Sequence, residues 1–302
     1  MLDVTMLPRP RFIEVGPRDG LQNEVAVVPT EAKVAFIDAL AQSGIREISA
    51  GAFAARPVSP QMADSAEVFD NITRRSGVTY SALVLDETGL DAALNAEADK
   101  IEIICAATET FSKLMSGASI AYSLERLRPI VGRARREKLP VRACVATVFH
   151  CPYEGQVRPE TAVAVVDRLR AMGVAEISLA DTIGRASPQD VRALADRLLK
   201  RVPAAQVVMH FHDTYGMAVA NAMTAWGEYG IAGFDASCGG VGGCPYAPGV
   251  GGNVATEDLA FAFLACGAPG QLDFRILRSA GQALAAHLGH TLPSHLSKIE
   301  FK

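Results

Sequence analysis

Two histidines stand two residues apart in the run VVMHFHD, as His210 and His212. Side chains two apart on a β-strand point to the same face, so both imidazoles can reach one point. Asp19 ends the run FIEVGPRD, and Asn253 follows the glycine-rich segment GGVGGCPYAPGVGG. Two imidazoles, a carboxylate and an amide oxygen make a mixed donor set for a divalent ion. We therefore predict a metal site with these four ligands: Asp19, His210, His212 and Asn253.

An arginine and a cysteine accompany these ligands. Arg18 directly precedes Asp19, and Cys244 lies in the glycine-rich segment. A guanidinium is a permanent cation that can stabilise an enolate oxygen, and a thiol can move a proton. Beside a divalent ion, this pair predicts enolate chemistry. The alternatives are a passive buried thiol at Cys244 and two ordinary strand histidines.

The bulk properties exclude several classes of protein. Of the 302 residues, 49% are hydrophobic and 21% are charged, as in ordinary globular proteins. The net charge is -4 and no block of Lys and Arg stands out, so we predict no nucleic-acid partner. No apolar run approaches the roughly 18 residues of a membrane span, and the N-terminus lacks a targeting pattern. We predict a cytoplasmic protein without a membrane partner, whose six cysteines stay reduced.

Short runs rich in Val and Ile alternate with longer amphipathic runs along the whole chain. The strand candidates are RFIEVGPR, REISAGAF, TYSALVL, KIEIICAA, VRACVATVF, AEISLAD, QVVMHFHD and GFDASCG. A helical pattern follows each of them, and no break in composition marks a second domain. This alternation predicts the α/β class and a (β/α)8 TIM barrel rather than a doubly wound sheet. We place the barrel at about 11–255 and additional C-terminal helices at about 256–302.

The barrel prediction brings the candidate residues together. Active sites of this fold form where the strands end at their carboxyl termini, and strands one, seven and eight are neighbours when the barrel closes. The first strand ends at Arg18 and Asp19, the seventh at the two histidines, and Cys244 and Asn253 follow the eighth. Asp181 ends the sixth strand, where it is either a catalytic group or the cap of the turn TIGRAS.

Several motifs at these positions carry a family resemblance. They are EVGPRDGLQNE (14–24), PQMAD (60–64), CPYEG (151–155), SLADTIG (178–184), HFHDTYGMAVAN (210–221), GGCPYA (242–247) and GNVATEDL (252–259). In these motifs the chain resembles the 3-hydroxy-3-methylglutaryl-CoA lyase family of metal-dependent, aldolase-like barrels. The motifs span most of the chain, and together they are highly specific.

The resemblance implies a reaction and a set of roles. A Mg²⁺ or Mn²⁺ ion held by the four ligands would assist retro-Claisen cleavage of a 3-hydroxyacyl-CoA that carries a carboxylate, giving acetyl-CoA and a keto acid. Arg18, Cys244 and Asp181 are the candidate catalytic residues. We expect a homo-oligomer, either a dimer or a tetramer. Four further residues are expected to contact the substrate, with solvated or structural roles as the alternative for the two basic ones: Gln22, Ser49, Lys113 and Arg142.

One departure from the family touches the mechanism. The second strand of the family ends with a glutamate, a proposed acid/base group, and Ser49 takes its place here. A serine cannot hold a proton as a carboxylate does at neutral pH. Glu47 shares the face of Ser49 but lies about one layer deeper in the barrel. The remaining candidates for a proton acceptor are His150, a water on Ser49, and Cys244.

The other departures make the acyl side of the site less polar. They are Val25, the stretch ARPV (55–58), Leu114, Met115 and Cys144. Three interpretations follow: a lyase for a bulkier, more apolar or shorter substrate such as citramalyl-CoA, an atypical hydroxymethylglutaryl-CoA lyase, or a non-catalytic paralogue. Such a paralogue would keep the metal and bind an acyl-CoA or a protein partner. The missing glutamate predicts slow cleavage of 3-hydroxy-3-methylglutaryl-CoA.

Overall fold

The computed structural model describes residues 6–247, 249–270 and 272–299. Eight parallel strands form a closed barrel in chain order, and the last strand pairs with the first. The predicted (β/α)8 TIM barrel is therefore confirmed. The strands are β1 (Arg11–Glu14), β2 (Glu47–Phe53), β3 (Thr79–Val84), β4 (Lys100–Ala106), β5 (Val141–Ala146), β6 (Glu176–Asp181), β7 (Val207–Phe211) and β8 (Gly233–Ala236).

Helices return the chain from the end of each strand to the start of the next, as a parallel barrel requires. They are α1 (Thr30–Gln42), α2 (Ser65–Asn71), α3 (Glu87–Asn95), α4 (Glu109–Ser116), α5 (Ile120–Arg136), α6 (Pro159–Met172), α7 (Pro188–Leu198), α8 (Ala218–Tyr229), α9 (Thr256–Ala265) and α10 (Phe274–Leu288). Within the described ranges, none of these helices is long and apolar enough to cross a bilayer.

The barrel interior holds several charged groups and a small apolar cluster of Ile13, Val15 and Val208, whereas the main hydrophobic core lies between the strands and the helices. At the amino-terminal end of the barrel, Lys100 Nζ lies 2.6 Å from Glu47 Oε1 and 3.2 Å from Glu176 Oε2. Arg11 pairs with both of these glutamates. Glu47 therefore belongs to this lower ionic cluster, in agreement with the prediction that it lies deeper than Ser49.

A buried glutamate joins the C-terminal helices to the barrel. Glu14 ends β1, and its Oε1 accepts hydrogen bonds from the backbone N–H groups of Gly16 and Cys238, both at 2.9 Å. Its Oε2 accepts from the Thr256 hydroxyl at 2.6 Å, at the first residue of α9. Burial raises the pKa of Glu14 to about 7, despite these hydrogen bonds. The end of β1, the segment after β8 and the start of α9 are thus held by one carboxyl group.

Candidate active site

A cavity with a volume of about 510 Å³ opens at the carboxyl-terminal end of the barrel. This is the end at which the sequence predicts an active site. The cavity wall combines charged groups from the strand ends with apolar side chains from β3, β4 and α4. Seven of the eleven predicted site residues line it: Arg18, Asp19, Gln22, Arg142, His210, His212 and Cys244.

A single π-helical turn, Gly16–Gly20, places Arg18 and Asp19 at this cavity. The turn closes through a hydrogen bond from Gly20 N to Val15 O at 3.0 Å. Gly16 leaves space for the Glu14 carboxylate at the start of the turn, because a Cβ atom there would lie 2.6 Å from Glu14 Oε1 and would displace it. The turn thus directs two adjacent charged side chains into the site, in agreement with the prediction from the end of the first strand.

The two histidines converge with Asp19, as predicted. The ligand atoms of Asp19, His210 and His212 all lie within 4.8 Å of one another. His210 Nε2 faces Asp19 Oδ2 at 3.9 Å, while Nδ1 of the same ring hydrogen-bonds to Asp235 Oδ2 at 3.1 Å. The buried Nδ1 of His212 has no hydrogen-bond partner among the described residues. A carboxylate and two imidazoles whose ligand atoms converge in this way are suited to a divalent metal ion.

Asn253 completes the donor set. Its backbone forms a bridge with His212, and its Nδ2 donates to Asp19 Oδ2 at 3.0 Å and to Val241 O at 3.3 Å. Its Oδ1 is buried and, within the described part of the chain, has no partner. Gly242 allows this close packing, since it has a φ of 148° and a Cβ there would lie 2.6 Å from Asn253 Nδ2. The carboxylate, two imidazoles and free amide oxygen fit a hard divalent cation.

The pKa values of Asp19 and His212 favour the deprotonated forms that ligate a metal at neutral pH. Burial and the neighbouring His210 lower the pKa of His212 to about 4, so its imidazole is neutral. Burial acts to raise the pKa of Asp19, but Arg18 and the two histidines hold it below its usual value. Burial acts to lower the pKa of His210, but the hydrogen bond and charge of Asp235 outweigh burial, so this pKa is raised above its usual value. A bound cation would compete with a proton for His210.

The guanidinium of Arg18 is buried and held by three groups. Its Nη1 lies 2.8 Å from Asp19 Oδ1, its Nη2 lies 3.0 Å from Glu102 Oε2, and its Nε donates to Ser49 Oγ at 3.3 Å. Asp19 and Glu102 raise the pKa of Arg18 although burial opposes them. A fixed, permanent cation therefore faces the cavity beside the candidate cation site, where it can stabilise a developing oxyanion.

Cys244 also reaches the cavity, from the loop that follows β8. Asn23 Nδ2 donates to Gly243 O at 2.8 Å, and the Tyr153 hydroxyl donates to Tyr246 O, so neighbouring loops hold this segment on both sides of the cysteine. Burial raises the pKa of Cys244, and the negative charge of Asp19 acts in the same direction. The thiol is consequently protonated at neutral pH.

Asp181 and Lys113 are among the four predicted residues that lie outside the cavity lining. Both oxygens of Asp181 accept backbone N–H groups, from Arg185 at 3.1 Å and from Ala186 at 2.9 Å, so Asp181 caps the turn after β6. This arrangement supports the capping alternative, and the catalytic role of Asp181 stays a prediction. Lys113 lies on the exposed face of α4, away from the cavity. His150 is also outside the lining, with Nε2 at 3.6 Å from Asp190 Oδ2.

The other predicted substrate contacts divide into two kinds. Gln22 lines the cavity, and its Oε1 is buried with no partner in the described ranges, which leaves it free for a ligand. Ser49 is fully buried below Arg18 and lies outside the lining. Arg142 reaches the lining but is 1% exposed and ion-paired with Glu102 and Asp235. We therefore assign Arg142 to the support of the site rather than to coenzyme A phosphates.

Two buried acids at the heart of the site were missed by the sequence reasoning. Glu102 contacts Arg18 and Arg142, and Asp235 contacts Arg142 and His210. The available signal was a charged residue inside an otherwise apolar strand, as in KIEIICAA and GFDASCG. Burial of such a charge requires a partner. Their partners could not be read from the sequence, because they lie on other strands.

An apolar wall faces the charged groups. It consists of side chains from β3, β4, β5, α4, α5 and the loops after β2 and β3: Val58, Leu83, Leu85, Ile104, Phe111, Met115, Leu127 and Cys144. The less polar acyl side predicted from Met115 and Cys144 therefore lies at the cavity. Val25 and Leu114 are 97% and 50% exposed and lie outside the lining, so these two departures do not alter the cavity.

Fold and cavity define the class of this protein, a (β/α)8-barrel enzyme with a candidate cation site at the carboxyl-terminal end of its strands. The family model described as HMGL-like matches residues 9–284. The chain therefore belongs to the HMGL-like family. It is a carbon–carbon lyase of the hydroxymethylglutaryl-CoA lyase type.

Similarity to characterised relatives extends over nearly the whole chain. The 3-hydroxy-3-isohexenylglutaryl-CoA/hydroxy-methylglutaryl-CoA lyase of Pseudomonas aeruginosa is 41% identical over 288 residues, covering 95% of this chain and 96% of that protein. A crystal structure of hydroxymethylglutaryl-CoA lyase from Pseudomonas aeruginosa has a TM-score of 0.93, 41% identity and 97% coverage of both chains. An Acinetobacter baumannii lyase in complex with coenzyme A and 3-methylmalate has a TM-score of 0.91 and 34% identity, covering 99% of this chain and 96% of that one.

Proposed function

We propose that this protein cleaves a 3-hydroxyacyl-CoA of the 3-hydroxy-3-methylglutaryl type to acetyl-CoA and a keto acid, with a divalent cation in the site. The observation that carries this proposal is the convergence of the Asp19–His210–His212 cluster and the buried Arg18 in one cavity with an apolar wall. The names of the relatives at about 40% identity support the same reaction.

The cation would be Mg²⁺ or Mn²⁺, held by Asp19, His210, His212 and Asn253. When bound, such an ion lowers the pKa of a substrate hydroxyl and polarises the adjacent carbon–carbon bond. The convergence of the Asp19, His210 and His212 ligand atoms and the unpartnered Asn253 Oδ1 support this ligand set. The hydrogen bond of Nδ1 to Asp235 leaves His210 Nε2 free to ligate.

The residues around the ligands supply the remaining chemistry. Arg18 is placed to stabilise negative charge on the thioester oxygen of the departing enolate. Cys244 carries a protonated thiol on the cavity wall, so it can give its proton to the enolate carbon and complete acetyl-CoA. Gln22 offers a free amide oxygen to a substrate hydroxyl. The substrate hydroxyl would lose its proton to water in the open cavity, because Cys244 starts protonated and no carboxylate is present at position 49. The thiolate left after Cys244 gives up its proton would be reprotonated from the same water.

The apolar wall suggests a substituent larger than methyl at the hydroxyl-bearing carbon. Leu83, Ile104 and Phe111 offer contact area for such a group, and burial of apolar surface stabilises it by about 25 cal/mol per Å². The Pseudomonas aeruginosa relative is named for both an isohexenyl and a methyl substrate, which supports this preference. We therefore propose that a longer-chain 3-hydroxy-3-alkylglutaryl-CoA is cleaved faster than the methyl compound.

Two exposed arginines are the candidates for the coenzyme A phosphates. Arg56 and Arg126 both line the cavity, and both are exposed to solvent. Guanidinium groups bind phosphate oxygens through paired hydrogen bonds. Arg126→Gln should raise the KM of the acyl-CoA, whereas Lys113→Gln, outside the lining, is the matched control and should not. The cytoplasmic location and the dimer or tetramer expected from the sequence stay predictions.

A substrate panel tests the proposed function. Acetyl-CoA release would be measured with the methyl compound, the isohexenyl compound and citramalyl-CoA, each with Mg²⁺, with Mn²⁺ and with EDTA. We expect metal-dependent cleavage, fastest for the isohexenyl compound. Fastest turnover of the methyl compound would contradict the preference for a larger group. No turnover of any member with Mn²⁺ still bound would support the non-catalytic alternative instead.

Two histidine variants distinguish an effect on metal binding from an effect on folding. His210→Ala should abolish metal-dependent turnover and Mn²⁺ binding while circular dichroism and the melting temperature stay close to those of the unmodified protein. His287→Ala, on the exposed face of α10, is the control and should retain both. Full activity of His210→Ala in EDTA would contradict the role of the cation.

A further inference from the structure

Glu102 is a buried carboxylate in the middle of β4, outside the cavity lining. It is 1% exposed, and one of its oxygens serves two cations. Oε2 lies 3.0 Å from Arg18 Nη2 and 3.2 Å from Arg142 Nη2. Oε1 accepts a hydrogen bond from the Ser81 hydroxyl at 2.6 Å. Both oxygens are therefore fully engaged by groups that fix their position.

This carboxylate is the centre of a chain of ion pairs across the barrel. Arg142 also pairs with Asp235, and Asp235 hydrogen-bonds to His210. The chain therefore runs from Arg18 through Glu102 to the candidate metal ligand His210. Buried charged groups in direct contact constrain one another's positions, so a shift of one group displaces the next.

β2 and β3 lie between β4 and the turn that carries Arg18, and they leave space for the Glu102 side chain. Ser49 of β2 pairs in register with Ser81 of β3, and both are fully buried. Two small hydroxyl side chains thus lie where Glu102 reaches across β3 towards Arg18. Ser49 itself supplies only a neutral oxygen, at 3.3 Å from Arg18 Nε. The negative charge beneath Arg18 comes from β4 and not from β2.

We propose that Glu102 is the positioning residue that orients Arg18 towards the reacting thioester. Glu102 lies on β4, and it replaces the carboxylate that is absent at position 49 on β2. This inference rests on the proposed function. Without Glu102, Asp19 would be the remaining carboxylate on Arg18, and it is also a candidate metal ligand. Arg18 would then be drawn towards the cation site and away from the oxyanion.

The charge state of Glu102 agrees with this role. Burial acts to raise its pKa, but Arg142, Arg18 and the Ser81 hydroxyl lower it to about 2. Glu102 is consequently ionised throughout the range in which an enzyme works. Its effect on Arg18 is therefore that of a fixed charge, which a neutral isostere would remove.

The first test compares two buried glutamates. Glu102→Gln keeps the size of the side chain but removes the charge, and we expect kcat to fall about 10²-fold with a much smaller change in KM, as for a displaced catalytic group. Glu47→Gln is the matched control, because Glu47 is also buried and ion-paired but contacts Arg11 and Lys100 at the other end of the barrel. A purely structural role of Glu102 predicts similar kcat values for the two variants, which would overturn the proposal.

Relocating the carboxylate is the second test. Glu102→Val should lose activity, and Ser49→Glu in the same chain returns a carboxylate to Arg18 from β2. We expect the double variant to regain at least about tenfold in kcat over Glu102→Val, because one well-placed charge-assisted contact is worth this much. A double variant no faster than Glu102→Val would contradict the idea that a carboxylate at either position serves Arg18.

Crystal structures separate this inference from the proposed function. If the unmodified protein cleaves no acyl-CoA, the proposed function fails, and the position of Arg18 still decides the role of Glu102. A shift of the Arg18 guanidinium by about 1 Å or more in Glu102→Gln, the scale at which misplacement costs catalysis, supports positioning. An unmoved guanidinium overturns it.

Discussion

The Nδ1 atom of His210 lies 3.1 Å from Oδ2 of Asp235, and the opposite nitrogen of the ring, Nε2, faces Asp19. Asp235 is itself held by Arg142 and by the Ser178 hydroxyl at 2.8 Å. These contacts hold the pKa of Asp235 well below its usual value although burial opposes them. A fixed carboxylate that accepts from Nδ1–H sets the tautomer in which Nε2 can ligate a metal.

Asp235→Asn should weaken Mn²⁺ binding about 10- to 100-fold, the usual cost of losing a carboxylate behind a histidine ligand. The affinity can be measured by calorimetric titration. Asp258→Asn is the control, because Asp258 contacts His295 Nδ1 at 2.9 Å outside the site, and it should bind Mn²⁺ normally. Equal affinities in both variants would show that Asp235 does not orient a metal ligand.

Arg18→Gln should lower kcat by about 10²-fold or more, the scale for losing one oxyanion donor, with little change in KM. The reason is that Arg18 is expected to act on charge that develops only as the carbon–carbon bond breaks. Steady-state kinetics on the best panel substrate measures both constants. Arg192→Gln, which removes a surface ion pair with Glu228, should leave both unchanged. An effect confined to KM would reassign Arg18 to substrate anchoring.

Cys244 should be alkylated by iodoacetamide before Cys105 and Cys238, because it lines the cavity while the other two thiols are buried. The reaction should nevertheless be slow, since burial raises the pKa of Cys244 and thiolate is scarce. The experiment uses a Cys266→Ser background, because Cys266 is exposed. Peptide mapping should show protection of Cys244 by acyl-CoA. Labelling of Cys105 first, or no protection, would count against a thiol at the substrate.

Glu14 should make stability depend on pH. Its pKa rises from an ordinary 4.5 to about 7 through burial, so the folded protein binds this proton more tightly than the unfolded chain. The free energy of unfolding should therefore fall as the pH rises from about 4.5 to about 7. Relative to Glu14→Gln, the loss should amount to at most about 3 kcal/mol.

Urea unfolding at a series of pH values measures this dependence. The exposed Glu31→Gln at the start of α1 is the control and should follow the unmodified protein. Parallel curves for the unmodified protein and Glu14→Gln would show that Glu14 does not carry the effect.

Much of the fold and most of the candidate ligands follow from local pattern. Eight alternations of strand and helix predict the barrel, because a parallel strand needs a helical return and eight such units close on themselves. His210 and His212 share a face because the strand repeats every two residues, and Asp19 meets them because strands one, seven and eight are neighbours. The structure bears out the fold and the convergence of these three side chains.

The contacts across the barrel interior depend on how the strands are staggered relative to one another. The pattern of residues along the sequence does not give this stagger. The sequence contains Glu102 as a charge within an apolar run, but its contact with Arg18 depends on the small Ser49 and Ser81 between them. Likewise, Cys244 lies in a glycine-rich segment, and only its packing reveals a raised pKa. Backbone periodicity fixes which way a side chain points. Partners, burial and charge depend on distant strands that the folded chain brings within a few ångströms.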